Sequence, residues 1–325
     1  MKKPWKDFSI EAKSMIPVVA ILGPTASGKS GLAEFLASRC GGELVNSDAS
    51  AFYQELSVGV TKPSAQERQR TVYHLLDTTS LEKGYDLMEF LQEANRVIDD
   101  IHARSRLPIV VGGSGLYARA LLDGYRPPQI EVSEQTRQAV RLLPLEEALE
   151  QLYRLDPVNY ERIDRQNPRR VVRALELAKT VGGPVPAPRI ESRPDWRLLK
   201  LYLMPTKNIL DRRIARRTGQ MWEGWLEEVD QLEKKGLAGW LKERKPIGYS
   251  SVQAYLHGEL SREEAQEEIV RLTIKLAKKQ RTWLRKESEH PFSHHFHLER
   301  EEDWSRVPEE ALKRVNDFLG AELDR

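Results

Sequence analysis

Residues Gly23-Pro24-Thr25-Ala26-Ser27-Gly28-Lys29-Ser30 satisfy the pattern G-x-x-x-x-G-K-[ST] at every fixed position. The apolar run Val18-Val19-Ala20-Ile21-Leu22 leads straight into it, and a helical pattern, Gly31 to Arg39, follows. A buried strand, a glycine loop and a helix in that order form a phosphate cradle. The loop N–H groups wrap a di- or triphosphate, the helix N-terminus adds partial positive charge, Lys29 adds a full one, and the Ser30 hydroxyl can reach Mg²⁺. Taken alone, the motif fits a nucleotide triphosphatase or a small-molecule kinase equally well.

Two further apolar runs have the character of buried parallel strands: Glu43-Leu44-Val45 and Pro108-Ile109-Val110-Val111. Strands alternating with helical patterns predict an α/β fold, a P-loop NTPase-like doubly wound parallel sheet whose sites gather at the carboxyl ends of its strands. After Leu122 the sequence turns helical and charge-rich, from a break at Tyr125-Arg126-Pro127-Pro128 to breakers at Gly182-Gly183-Pro184. The expected organisation is a core of residues 1–123 and 195–325, with a helical insertion over 124–194 and a strand near Leu198–Met204 returning to the core. The third strand candidate runs into Gly112-Gly113-Ser114-Gly115-Leu116-Tyr117, a glycine turn with a hydroxyl, where an ATPase would usually place a metal-holding aspartate.

The 325 residues carry 51 Lys and Arg against 49 Asp and Glu, a net charge of only +2, so any nucleic-acid surface must be local. A single cysteine, Cys40, excludes an internal disulfide framework and a multi-cysteine zinc module. No leader-type segment or run of about 18 apolar residues is present, which predicts a cytoplasmic protein without a membrane partner and, by default, a monomer.

Asp48 follows Leu44-Val45 with Asn46 and Ser47 between, which predicts a carboxylate beside the cradle. It is a candidate general base, and a helix-capping role is the competing reading. Three segments are locally basic. Arg162 to Arg173 holds five arginines against Asp164, and Arg212, Arg213, Arg216 and Arg217 form a second group. Arg271 to Lys286 holds seven Lys or Arg and no acid, and Arg271, Lys275, Lys278 and Arg285 recur at helical spacing, which predicts a cationic stripe. Lys278 and Arg281 are candidate RNA contacts on that stripe. His290, His294, His295 and His297 lack the companion ligands of a recognisable metal site, and the alternation in His295-Phe296-His297-Leu298 predicts an exposed strand face. Trp222, Trp225 and Trp283 are expected in the core.

The order of motifs resembles one family over nearly the whole chain. The matching pieces are Gly23 to Ser30; Asp48 with Tyr53; Gly59 with Lys62-Pro63; His74-Leu75-Leu76-Asp77; Tyr85 with Phe90; and Gly112 to Tyr117. They continue with Asn167-Pro168-Arg169-Arg170-Val171-Val172-Arg173-Ala174-Leu175-Glu176, Ile247-Gly248-Tyr249 and Ala277 to Trp283. This pattern resembles the bacterial tRNA dimethylallyltransferases, also called tRNA isopentenyltransferases. The resemblance implies transfer of a dimethylallyl group from dimethylallyl diphosphate to N6 of the adenine 3′ to the anticodon, with Mg²⁺ at the diphosphate and the tRNA anticodon stem-loop as partner. It implies Asp48 as the catalytic base, a hydroxyl from Ser114, and Arg213 or Arg217 at the diphosphate. It further implies tRNA contacts by Asp48, Ala49, Ser50, Ala51, Arg137, Arg169, Arg170, Arg173, Ile247, Gly248 and Tyr249. The family usually has Ser where this chain has Ala49 and often Gln at Ala51, so two polar contacts to RNA are missing; Ser250-Ser251 and Ser114 are further departures. Two rival readings are an RNA-binding relative without transferase activity and a P-loop small-molecule kinase.

Overall fold

The computed structural model describes residues 15–113, 115–191, 193–286 and 292–320. The first half of the chain runs β1 (Ile16–Leu22), α1 (Lys29–Cys40), β2 (Gly42–Asn46), a 3₁₀ turn (Ala49–Phe52), α2 (Ala65–Arg70), β3 (Tyr73–His74), α3 (Leu87–Ala103), β4 (Leu107–Gly112) and α4 (Gly115–Leu122). A second compact unit, residues 123–192, holds β5 (Tyr125–Arg126), α5 (Glu134–Arg141), α6 (Leu145–Leu155), α7 (Pro157–Arg162), α8 (Pro168–Val181) and β6 (Arg189–Ile190). The chain then returns to the first unit through β7 (Trp196–Pro205), α9 (Lys207–Lys234), α10 (Ala238–Arg244), α11 (Tyr249–Leu256), α12 (Arg262–Lys286), β8 (Ser293–Leu298), a second 3₁₀ turn (Glu301–Ser305) and α13 (Val307–Gly320).

Six strands form one sheet in the order β3-β2-β4-β1-β7-β8, and every neighbouring pair is parallel. The reason lies in the strand sequences. Val18 to Leu22, Leu44, Val45, Ile109, Val110 and Leu201 are all buried, and continuous apolar runs of this kind need cover on both faces. One face packs α3, α4 and Leu284 of α12; the other packs α1 and α13. In α3 the apolar stripe Phe90, Leu91, Ala94, Ile98 and Ile101 meets the sheet, and Asp86 starts the helix by accepting from the N–H groups of Met88 (2.7 Å) and Glu89 (2.9 Å). The returning strand is longer than the apolar segment Leu198–Met204 suggests, because Ile16 to Leu22 pair with Trp196 to Tyr202 along their whole length. Among the described residues no helix is long and apolar enough to cross a membrane.

A third apolar cluster joins α9, α11 and α12 to the loops after β2. Trp222 and Trp225 are buried there, as their helical spacing suggests. Trp225 is gripped between Gly59 and Gly248: a Cβ on either glycine would lie 2.4 Å or 2.3 Å from the indole. Gly248 also has φ +89°, so a side chain would fail there on two counts. The second unit is built around Val140, Ala148, Leu152, Val171, Leu175 and Ala178. Its α8 begins at Pro168, with Asn167 as cap accepting from the Arg170 N–H (3.4 Å), and ends at left-handed Gly182.

Glu43 on β2 is buried and takes a two-pronged ion pair from Arg104, with Arg104 Nη2 2.9 Å from Oε2, while His74 Nε2 on β3 lies 2.7 Å from the same oxygen. Arg104, then His74, hold its carboxyl below the ordinary value against the opposing effect of burial. A depressed carboxyl stabilises the fold above its unfolded pKa and loses that contribution as pH falls through the folded value. Glu43→Gln should therefore cost about 2 kcal/mol at neutral pH. Urea unfolding at a series of pH values should show the wild-type advantage shrinking below about pH 4.5.

Candidate active site

A cleft of about 550 Å³ opens at the carboxyl ends of β1, β2 and β4, bordered by α9. Its floor is the loop Gly23–Gly28. Ala26 (φ 62°) and Gly28 (φ 87°) are both left-handed, a pattern that turns successive N–H groups toward a common centre. The left-handed region is unfavourable for alanine by about 1 kcal/mol, so neighbouring groups must hold the loop in place. Two of them come from the far end of the chain. Gln280 of α12 is buried; its Oε1 accepts from the Thr25 N–H (2.8 Å) and its Nε2 donates to the Gly113 carbonyl (2.9 Å). Trp304, in the second 3₁₀ turn, donates from Nε1 to the Ser27 carbonyl (3.0 Å). Gly113 lacks a side chain for a spatial reason: a Cβ would lie 2.6 Å from Gln280 Nε2 and 2.9 Å from the Gly23 carbonyl oxygen.

Lys29 lies partly buried in the cleft, with Nζ 3.4 Å from the Pro24 carbonyl, and Ser30 is exposed at its edge. Burial lowers the Lys29 pKa, Asp48 opposes the shift and Arg217 adds to it. Arg217 is lowered by burial as well and supported by Asp48, and its Nη2 donates to Thr25 Oγ1 (2.9 Å). Sequence reasoning left Arg213 and Arg217 equivalent; the structure separates them. Arg213 forms a two-pronged ion pair with Glu301, Nε to Oε2 at 3.0 Å, and its guanidinium lies 3.6 Å over the Trp304 ring. Arg217 is aimed at the loop, and Arg213 braces the turn behind it.

Asp48 makes the capping contact that the sequence allowed and also lies in the cleft. Its Oδ1 caps the 3₁₀ turn by accepting from the Ser50 N–H (3.3 Å), and the residue lines the cleft opposite Lys29 and Arg217. Asn46 fixes the backbone beneath it: Oδ1 accepts from the Asp48 N–H (2.9 Å), and Nδ2 donates to the carbonyls of Asp48 (3.1 Å) and Leu75 (2.9 Å). The carboxylate therefore sits on a rigid turn.

Ala49 and Ser50 are half-buried, and Ala51 is buried while lining the cleft. Ser114 and His290 lie outside the described residues. In the second unit Arg137, Arg169, Arg170 and Arg173 are exposed, and Arg173 pairs with Glu176 (3.2 Å). Lys278 is exposed and Arg281 half-buried. The side chain of Tyr249 is fully buried against Trp225, and its hydroxyl donates to Glu228. Gly248 is buried and Ile247 half-buried. Ser251, one of the departures from the family pattern, is buried with its hydroxyl 3.2 Å from Glu268. On β8, Phe296 and Leu298 are buried and His297 is exposed. Among the described residues no group of three or more His, Cys, Asp or Glu side chains is placed to hold a metal ion.

Sequence reasoning missed Gln280, Glu301 and Trp304. Gln280 stands in a lysine run that reads as solvated surface, and Trp304 lies 277 positions from the residue it holds. No local pattern links such partners.

A doubly wound sheet with an amide-lined cradle, several cleft cations, Lys29 and Arg217 among them, and a carboxylate on a fixed turn defines a P-loop protein equipped for group transfer from a phosphorylated donor. Comparison with known proteins narrows the class. Residues 51–287 match the model of the family described as IPP transferase. A tRNA dimethylallyltransferase of Thermomicrobium roseum is 40% identical over 275 residues, covering 83% of this chain and 84% of the relative. One of Thermobifida fusca is 38% identical over 283 residues, covering 84% and 88%. Among solved structures, the full-length tRNA isopentenylpyrophosphate transferase of Bacillus halodurans superposes with a TM-score of 0.64 at 28% identity, covering 94% of this chain and 99% of that one. A eukaryotic dimethylallyltransferase acting on tRNA shares the fold, with a TM-score of 0.77 at 24% identity and coverage of 94% and 80%. The chain belongs to the IPP transferase family.

The two arginines should differ in their hold on inorganic diphosphate. Arg217→Met should weaken its binding about 10- to 100-fold, the range for hydrogen bonds to a charged group. Arg213→Met should weaken it less, because that guanidinium is already engaged by Glu301. Isothermal titration of the two variants with inorganic diphosphate checks the ranking.

Proposed function

We propose that this protein transfers the dimethylallyl group of dimethylallyl diphosphate to N6 of the adenine 3′-adjacent to the anticodon of tRNA, in the cytoplasm. The observation that carries the reading is the placement of Asp48 in one cleft with Lys29 and Arg217, with electrostatic coupling to both. In the reaction the bond from the allylic carbon to the diphosphate oxygen breaks as the bond from N6 to that carbon forms. Negative charge grows on the departing oxygens, where the N–H groups of Ala26 and of Gly28 onward in the Gly23–Ser30 loop, Lys29 and Arg217 meet it. The adenine amine is a poor nucleophile, so its proton must leave as the new bond forms, and Asp48 accepts it. Anchoring of Oδ1 by the Ser50 N–H fixes the carboxylate plane for that step.

Mg²⁺ fits the donor chemistry: the exposed Ser30 hydroxyl is a hard oxygen ligand beside the cradle. Bound there with diphosphate oxygens, the ion would neutralise the leaving group. Ser114, next in sequence after Gly113, would offer a hydroxyl to diphosphate or amine. Ala49, Ser50 and Ala51 beside the cleft, the Ile247-Gly248-Tyr249 segment at the start of α11, Arg137, Arg169, Arg170 and Arg173 in the second unit, and Lys278 and Arg281 on α12 would contact the RNA. Phosphate contacts of this kind set affinity and register, while an unstacked base is read at its edges.

Incubation with Mg²⁺, dimethylallyl diphosphate and unmodified tRNA, followed by nuclease digestion and mass spectrometry, should yield N6-dimethylallyladenosine. Salt-sensitive tRNA binding without that product would make the protein a binding-only relative. Better protection against heat by ATP than by dimethylallyl diphosphate would favour a kinase. Asp48→Asn should retain tRNA binding and lower turnover about 10²-fold; unchanged turnover would remove Asp48 from the mechanism.

A further inference from the structure

Lys62 is a buried cation that the chemistry above does not use. It belongs to the segment Val60-Thr61-Lys62-Pro63, which walls the cleft, but its side chain is only 1% exposed. Its Nζ is engaged within the protein, donating to Asp77 Oδ1 (2.6 Å) and to the Tyr53 carbonyl. A lysine spent in this way is not a free charge for diphosphate. Both partners bear instead on the turn that carries Asp48. That 3₁₀ turn, Ala49–Phe52, has Asp48 as its N-terminal cap and Tyr53 as its C-terminal one. The Asp77 N–H donates to the Ala51 carbonyl (3.3 Å) and the Thr79 N–H to the Phe52 carbonyl (3.1 Å), so residues 77–79 run along the turn. Gln54 Nε2 adds a bond to the Asp77 carbonyl (3.1 Å). One ammonium group therefore joins the end of the turn to the side chain of the residue whose backbone holds its middle.

The backbone held here is an unfavourable one. Thr61 (φ 58°), Leu75 (φ 59°) and Asp77 (φ 56°) are left-handed, a region that disfavours residues with a Cβ and β-branched threonine most. Such residues persist where surrounding contacts over-determine them, and the contacts that meet in these two loops are those of Lys62 and Asp77. Burial would raise the Asp77 carboxyl; Lys62, then Arg68, overcome it and hold it below its ordinary value, so the carboxylate is charged against its partners. From the other side Glu228 of α9 accepts from the N–H groups of Ser57 (3.1 Å) and Val58, which fixes the start of the same wall. We infer that Lys62 is a positioning residue for the proton-transfer step: through the Tyr53 carbonyl and Asp77 it sets the direction of the Asp48 carboxylate. The inference rests on the reading of Asp48 as the base.

The test uses the full chain. Lys62→Met should lower kcat about 10- to 100-fold, the scale of a misplacement of roughly 1 Å at a reacting group. Affinity for inorganic diphosphate should stay within about twofold, because the loop amides, Lys29 and Arg217 are untouched. Combined with Asp48→Asn, Lys62→Met should lower kcat no further, since a residue that acts through Asp48 then has nothing left to position. A general loss of packing would lower kcat alike in both backgrounds. Hydrogen exchange followed by mass spectrometry should accelerate over residues 48–53 and stay unchanged over 23–30, a readout that needs no turnover. The inference is overturned by an equal drop in kcat in the two backgrounds, by a diphosphate affinity that falls along with kcat, or by unchanged exchange over 48–53. Full turnover in Asp48→Asn would remove the base itself and this inference with it. A slowed Asp48→Asn beside an undiminished Lys62→Met would sink this inference alone.

Discussion

Two cations, Lys29 and Arg217, share a partly desolvated cleft, and the carboxylate felt by both is Asp48. Removing like charges from water raises their mutual repulsion, and a single carboxylate does not balance two of them. The cleft is therefore poised for an anion of higher charge, and binding one favours the charged state that burial disfavours. A leaving group that gains charge during the reaction exploits the same imbalance, because the site is complementary to the products of bond cleavage more than to the intact donor.

Such a site works only if its backbone does not move, and the loop is held from two directions. Gln280 ties Thr25 to Gly113, so the diphosphate cradle and the turn after β4 form one rigid piece. Trp304 and the Arg213–Glu301 pair support the opposite side at Ser27. Their part is to fix N–H vectors, and preorganised dipoles are effective because no reorganisation is needed when charge develops. Gly113 allows the close approach; its missing Cβ is where the carboxamide sits.

What could be read from the sequence was local. The cradle, the strands before and after it, the position of Asp48 at a strand end and the helix begun by Asn167-Pro168 all follow from patterns a few residues long. What escaped was long-range. β3 is two residues, Tyr73–His74, too short for any periodicity, and exists because β2 offers it partners. Gln280 and Trp304 act across more than 250 positions of sequence. Tyr249 shows a related limit: a motif says that a residue type is needed but not that its hydroxyl is donated to half-buried Glu228 and its ring packs against Trp225. The histidines near the C-terminus read as surface because alternation gives the face of a strand but not what lies over it.

The grip of Trp304 on Ser27 spans 277 positions of sequence. A ribosome releases the cradle motif well before the indole that steadies it and the edge strand beside β7, with the whole intervening stretch translated in between. The nascent polypeptide thus carries an unfinished binding loop through all of that interval, and a chain terminated prematurely before Trp304 would display the signature motif without the brace that shapes it.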